Sequence, residues 1–182
     1  VWVNLLSAFL TLGGTLFYVF IYTWWLKPST YQNIVIGGAA GAVPPLVGWA
    51  AVTGGLGLPA LYLFAIIFFW TPPHFWALSL LIHRDYAEAG VPMLPVVGGI
   101  RETTRSIMLY SLVLVALTIL FYTTQAVGWV YLLAAGVLGG IFLGMAWRTL
   151  RSGGARGVRS LYLYSILYLT LLFGIIMAAS AL

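Results

Sequence analysis

Long apolar stretches separated by short polar connections run the length of the 182-residue chain. Several of them approach the roughly 20 residues that a helix needs to cross the hydrocarbon core of a bilayer. They lie at residues 5–26, 34–53, 58–82, 106–124, 129–147 and 161–181. Residues 61–70 (LYLFAIIFFW) are apolar throughout, whereas the strands of a membrane barrel alternate apolar and polar residues. The pattern therefore predicts an all-α protein, a multi-pass transmembrane helix bundle with six spanning helices in this chain.

Composition agrees with a membrane protein and excludes several other classes. Hydrophobic residues make up 63% of the chain and charged residues only 6%, which leaves too little polar surface to cover a water-soluble fold. The absence of cysteine excludes disulfides, thiol catalysis and cysteine-ligated zinc. The formal net charge is +5, but because the basic residues are scattered among the predicted spans, we expect no nucleic-acid partner. The sequence opens VWVNLLSAFL, without Met or a basic segment, so we expect an N-terminally truncated chain rather than a signal peptide.

The basic side chains all lie on one side of the predicted membrane. Every Lys and Arg falls in the connections near residues 27–33, 83–105 and 148–160. The turns near residues 54–57 and 125–128, on the other side, contain none. By the positive-inside rule the basic connections are cytoplasmic, so we expect a multi-pass protein of the cell inner (plasma) membrane. The connection at 148–160 is Gly-rich but lacks the spacing of a phosphate-binding loop, and we expect it to contact anionic lipid.

All the carboxylates of the chain lie within or just after one stretch, LIHRDYAEAGVPMLPVV at residues 81–97. They are Asp85, Glu88 and Glu102. Helical spacing places Asp85 and Glu88 on one face, one turn beyond the third predicted span. Spacing alone favours a solvated helix end in which Arg84 pairs with Asp85. It leaves open a site in which Asp85 binds Mg²⁺, directly or through water, while Arg84 faces a phosphate.

Pro-Pro pairs interrupt two of the predicted spans. Pro44-Pro45 lie in the second span, and Pro72-Pro73 directly precede His74 in the third. Proline in mid-span leaves backbone carbonyls without a partner, which is tolerated where neighbouring helices or a cavity satisfy them. We therefore interpret Pro44-Pro45 as either a cavity wall or a simple kink. His74 is either a hydrogen-bond partner between helices or a residue that faces a bound porphyrin.

Three stretches, in this order and spacing, are similar to one family. They are NIVIGGAAGAVPPLVGWAAVTG at 33–54, WTPPHFWAL at 70–78 and DYAEAGVPMLPVVGGI at 85–100. They closely resemble the protoheme IX farnesyltransferases, or haem O synthases, of the UbiA prenyltransferase superfamily. The resemblance covers essentially the whole chain. It implies a UbiA-like bundle with about nine spanning helices in the complete protein, of which residues 1–182 form a single membrane domain, its C-terminal part.

The resemblance also implies roles for particular residues. The family's first polar motif, an Asn/Asp-rich cluster that binds Mg²⁺-diphosphate, is absent from this chain. The second corresponds to residues 83–96, where Asp85 and Tyr86 stand in place of the paired aspartates of other superfamily members. Asp85 is therefore implied as the catalytic residue and as a Mg²⁺ ligand. The implied substrate-binding residues are Lys27, Arg84, Tyr86, Asn33 and His74.

The implied reaction is the transfer of a farnesyl group from farnesyl diphosphate to a vinyl group of haem B, which gives haem O for terminal oxidases. Mg²⁺ is the expected cofactor and haem B is a substrate; the other expected partners are farnesyl diphosphate, the lipid bilayer and haem A synthase. We expect this chain alone to be inactive. One alternative is another UbiA-type enzyme that prenylates an aromatic acid or a chlorin, which would show a fuller paired-aspartate motif. The other is a multi-pass transporter, which would show an internal repeat.

Overall fold

The computed structural model describes residues 3–154 and 156–180. Within these ranges the chain is helical and contains no strand, and six of its helices are long and apolar enough to cross a membrane. In chain order the helices are α1 (Leu5–Ser29), α2 (Asn33–Thr53), α3 (Leu58–Leu81), α4 (His83–Glu88), α5 (Leu94–Val97), α6 (Gly99–Leu120), α7 (Trp129–Arg151) and α8 (Val158–Ser180). The prediction of an all-α membrane bundle is confirmed.

The third predicted connection is more helical than expected. Residues 83–105 form α4, α5 and the first turns of α6, which begins at Gly99 rather than at residue 106. Hydropathy detects only the part of a helix that lies in hydrocarbon, and the first turns of α6 are polar. Gly90, with a φ of 66°, allows the chain to turn after α4, because only glycine adopts this conformation without strain.

Helix α3 lies at the centre of the bundle and packs against α2, α6 and α8. Glycines permit the closest approaches between neighbouring helices. Gly38 of α2 lies against Thr71 of α3, and Gly139 of α7 lies against Val115 of α6, with little or no room for a Cβ atom. Small residues therefore set the spacing of the bundle.

Buried hydroxyl groups join the last three long helices. The hydroxyls of Thr118 and Tyr168 are 2.8 Å apart, and the Tyr131 hydroxyl donates to the carbonyl of Thr118 at 2.8 Å. The Tyr164 hydroxyl donates to the carbonyl of Leu138, also at 2.8 Å. A polar group inside a bilayer must find its partner within the protein, so these contacts both satisfy the hydroxyls and hold α6, α7 and α8 together.

Short connections arrange the long helices in antiparallel order, so that α1, α3 and α7 end where α2, α6 and α8 begin. We call this the basic end of the bundle, since it carries every Lys and Arg of the chain. All the carboxylates lie there too. The ionisable groups that could bind a charged ligand are thus collected at one boundary of the membrane domain.

Candidate active site

A mostly apolar cavity of about 880 Å³ lies between α1, α2 and α3. Aromatic rings from α1 and α3 form two of its walls: Tyr18, Tyr22, Trp70 and Phe75. A row of small residues from α2 forms the third wall: Gly37, Gly38, Ala40 and Gly41. Because these residues carry little or no side chain, the space between the three helices stays open. Its size is typical of pockets that bind small organic ligands.

The two tyrosines belong to a π-helical part of α1, Phe17–Leu26. Their rings are in contact, with 5.4 Å between the centroids of Tyr18 and Tyr22. π-Helical turns are rare and are found frequently at functional sites. The Tyr22 ring lies so close to Gly37 that a Cβ atom there would overlap with it. A glycine at this position therefore lets the ring form part of the cavity wall.

One residue of the first Pro-Pro pair, Pro44, lines the cavity, as the cavity-wall interpretation predicts. The carbonyl of Gly41 would normally accept from the amide of residue 45 in an α-helix, or of residue 44 in a 3-10 turn. Both residues are proline and have no N–H. Gly41 itself lines the cavity and has open space where a Cβ would stand. The carbonyl oxygen of Gly41 therefore lies in an apolar wall without the backbone N–H groups that would normally donate to it.

The predicted site residues at the basic end differ in their burial. Lys27, Arg84 and Asp85 are exposed, Tyr86 is half-buried and Asn33 is buried. The Asn33 side-chain amide donates to the carbonyl of Lys27 at 3.4 Å, whereas its Oδ1 is buried without a partner. The structure therefore links Lys27 with Asn33.

The charged groups at this end are not neutralised by one another. Throughout residues 3–154 and 156–180, no Lys or Arg nitrogen lies within 4.0 Å of a carboxylate oxygen. The prediction of an ion pair between Arg84 and Asp85 is therefore wrong. Both side chains are exposed, and in water a neighbouring pair of opposite charges gains little from contact. They remain free to bind a charged ligand.

His74 lies behind the cavity wall rather than in it. Its ring is stacked between those of Trp70 and Tyr162, with centroid distances of 4.3 and 4.9 Å. Its Nδ1 is 2.7 Å from the Oγ of Ser165, which itself donates to the carbonyl of Tyr162 at 2.6 Å. Because the only hydrogen of that hydroxyl is used, Nδ1 must be the donor. This environment corresponds to the interhelical hydrogen bond.

Residues 1–170 match the family model described as the UbiA prenyltransferase family. The chain belongs to this family. A protein from Gloeobacter violaceus named protoheme IX farnesyltransferase is 59% identical over 171 residues, which cover 93% of this chain and 56% of the relative. A protein of the same name from a Roseiflexus species is 58% identical over 171 residues, covering 94% and 32% of the two chains. No solved structure matches the sequence.

The chain spans from about a third to a little over half of the length of these curated relatives of the UbiA family. Enzymes of the family generally use a divalent metal ion with a diphosphate substrate. Mg²⁺ prefers near-octahedral oxygen coordination. Within the described part of the chain no three His, Asp or Glu side chains converge on one point. Asp85 and its neighbours therefore do not form a complete Mg²⁺ site by themselves.

Sequence reasoning missed several residues of this UbiA-type cavity. Tyr22, Trp70 and Thr71 line it, although none was predicted as a site residue. The spacing of Tyr18 and Tyr22 was the available signal, since residues four apart lie on one side of a helix. Thr11 and Thr15 continue this spacing toward the start of α1 and also line the cavity, so a row of hydroxyl-bearing residues marks that face of the helix.

Proposed function

We propose that this chain is part of a membrane enzyme that transfers a farnesyl group from farnesyl diphosphate to a vinyl group of haem B, giving haem O. The observation that carries the proposal is 58–59% identity, over more than nine tenths of the chain, to proteins named protoheme IX farnesyltransferase. The activity is proposed for the whole protein, since the chain spans only part of those relatives. An apolar cavity that extends from a basic membrane boundary supports it.

The proposed reaction consumes one water molecule. The bond between C1 of the farnesyl group and the diphosphate oxygen breaks, and its electron pair leaves with diphosphate. The π electrons of the vinyl group form a new carbon–carbon bond to C1. Water then adds to the resulting cation beside the porphyrin ring and loses a proton, which leaves a hydroxyl group. The products are haem O, diphosphate and the proton.

The exposed side chains at the basic end are proposed to bind the diphosphate. Lys27 and Arg84 supply positive charge that stabilises the leaving anion, and neither is held by a carboxylate in the described chain. Tyr86 supplies a phenol that can donate to a diphosphate oxygen. The buried Oδ1 of Asn33, which has no partner, can accept from a ligand or a bound water. Asp85 is proposed as this chain's contribution to a metal site that needs further ligands.

The cavity walls are proposed to hold the farnesyl chain and to protect the reacting cation. Aromatic faces attract positive charge, and rings of Tyr18, Tyr22 and Trp70 line the space. The apolar walls also exclude bulk water, which would otherwise capture an allylic cation before the vinyl group does. His74 is proposed to act through Trp70, whose ring it stacks against, rather than by touching a substrate.

The proposal also covers location and partners. We propose that the basic end faces the cytoplasm and that the protein lies in the cell (plasma) membrane, because every Lys and Arg is at that end. Haem A synthase is proposed as the enzyme that receives haem O. Membership of a prenyltransferase family argues against the transporter alternative.

The test uses the full-length protein in isolated membranes. Haem B and farnesyl diphosphate are supplied with Mg²⁺, and haem O is followed by mass spectrometry. We expect haem O to form and diphosphate to be released in equal amount. Transfer of the prenyl group to an aromatic acid or a chlorin, with no haem O, would instead establish the alternative prenyltransferase.

A further inference from the structure

A second pocket, of about 520 Å³, lies at the basic end on the other side of α2 from the cavity. Helix α2 contributes Ile34 and Gly37 to the cavity, whereas its Val35 lines this pocket together with Tyr31 and Gln32 from the turn before α2. The remaining walls come from α3, α5 and α6. The residues of α6 are spaced four apart, at the positions Glu102, Ser106 and Tyr110. The two spaces share no lining residue, so the second pocket is a separate site.

Polar groups converge on this pocket without partners in the described chain. The side chains of Gln32, Glu102, Ser106 and Tyr110 make no hydrogen bond with residues 3–154 or 156–180. Trp76, which also lines the pocket, is 3% exposed, and its indole N–H has no acceptor. A buried donor without an acceptor costs free energy, which is recovered when a ligand supplies one.

Ser106 differs from the other serine and threonine residues of α6. The hydroxyls of Thr103, Thr104, Ser111 and Thr118 each donate to a carbonyl three or four residues earlier in the helix. That is the ordinary way for a hydroxyl to be satisfied in a membrane helix. The hydroxyl of Ser106, which lines the pocket, makes no such bond. It is therefore available to a molecule in the pocket.

The charge of the pocket indicates what it accepts. Glu102 is the single charged residue among those that line it, and a carboxylate repels diphosphates and porphyrin propionates. Arg105 lies three residues further along α6, where the two charges could pair. No such pair forms in the described chain. A carboxylate and a guanidinium that are both without an ion-pair partner complement a zwitterion. Its ammonium group can bind the carboxylate, and its phosphate can bind the guanidinium.

We propose that this pocket binds the headgroup of phosphatidylethanolamine from the adjoining leaflet. The ammonium group lies on the Glu102 carboxylate, and the phosphate accepts from the Arg105 guanidinium. Trp76 and Ser106 supply further donors to ester oxygens. The apolar side chains of Val35, Leu94 and Val97 line the pocket and pack against the glycerol and the first methylene groups. The pocket lies at the basic end of the bundle, at the membrane boundary where lipid headgroups are found.

The experiment measures which lipids the full-length protein retains. The protein is purified from membranes, exchanged into nanodiscs that contain equal amounts of phosphatidylethanolamine and phosphatidylglycerol, and analysed by native mass spectrometry. We expect phosphatidylethanolamine to be retained preferentially. Glu102→Gln should lower its retention about tenfold, the loss expected for one charge-assisted hydrogen bond. Glu88→Gln, at an exposed carboxylate of the same end that does not line the pocket, should retain it fully.

A second variant keeps the Glu102 carboxylate but fills the pocket. Ser106→Phe should also abolish preferential retention, because the ring occupies the pocket, and it serves as the test if Glu102→Gln is not produced in folded form. Equal retention by wild type, Glu102→Gln and Ser106→Phe would overturn the proposal. So would stronger retention of phosphatidylglycerol than of phosphatidylethanolamine by the wild type.

Discussion

The ring of Tyr22 lies directly against the backbone of Gly37, with no room between them for even a methyl group. This contact joins the π-helical part of α1 to α2 and places an aromatic ring in the cavity wall. Gly37→Ala should therefore displace the ring and lower the stability of the full-length protein by about 1–3 kcal/mol, the usual cost of overpacking. Thermal unfolding in detergent measures this directly.

Gly41→Ala provides the matched control for that substitution. Gly41 lies one helical turn away on the same wall, and nothing stands within 4 Å of its Cβ position. Alanine is also favoured over glycine in a helix by up to about 1 kcal/mol. We expect unchanged or slightly higher stability. If Gly41→Ala lowered the unfolding temperature as much as Gly37→Ala, the Tyr22 contact would not be the cause.

Asp85→Asn should lower turnover in the full-length protein by on the order of 10²–10⁴-fold, a loss of about 3–5 kcal/mol of transition-state stabilisation. The carboxylate is removed while the shape of the side chain is kept. Membrane insertion and yield should not change, because Asp85 is exposed at the basic end. Haem O formation is measured under saturating substrates.

Glu88→Gln is the control for Asp85→Asn, since Glu88 is an exposed carboxylate on the same short helix. It should leave turnover within a factor of about two, as expected for a surface substitution worth at most about 0.5 kcal/mol. Equal losses in both variants would mean that the net negative charge of α4 matters, rather than Asp85 itself.

His74→Phe tests whether this residue acts through packing or by touching a substrate. Phenylalanine keeps a flat ring between Trp70 and Tyr162 but removes the hydrogen bond to Ser165. We expect a loss of about 1 kcal/mol of stability, typical of an interhelical hydrogen bond in a membrane, and a smaller loss of turnover than in Asp85→Asn. A large rise in the KM for haem B with unchanged stability would instead support direct contact between His74 and the porphyrin.

The orientation of the bundle can be tested by labelling, because this chain contains no cysteine. Single cysteines at Gly55 and Gly128 should react with an impermeant thiol reagent added outside intact cells. A cysteine at Ser160, exposed near the start of α8, should react only after the membrane is opened. The reverse labelling pattern would place the basic end outside the cytoplasm.

The number of spanning helices, their approximate positions and the location of every basic residue could be predicted from the sequence. These properties are local, since the length of an apolar run and the order of spans and connections do not depend on how helices pack. The three sequence stretches at residues 33–54, 70–78 and 85–100 also indicated the family, which the family comparison confirmed. The polar helical turns at the start of α6 were missed because hydropathy reports only the hydrocarbon-embedded part.

Which residues face one another was decided only by the tertiary structure. Helices α2 and α3 are hydrophobic to nearly the same degree on all sides, with few polar residues, so their hydrophobic pattern does not show which side meets the cavity. Rotation of each helix about its axis is set by close contacts with distant residues, such as Gly37 with Tyr22 and Gly38 with Thr71. The same packing places His74 behind Trp70 rather than in the cavity. It also places Glu102 in the second pocket, which is separate from the cavity. Such outcomes depend on side-chain fit across helices, which the linear sequence does not display.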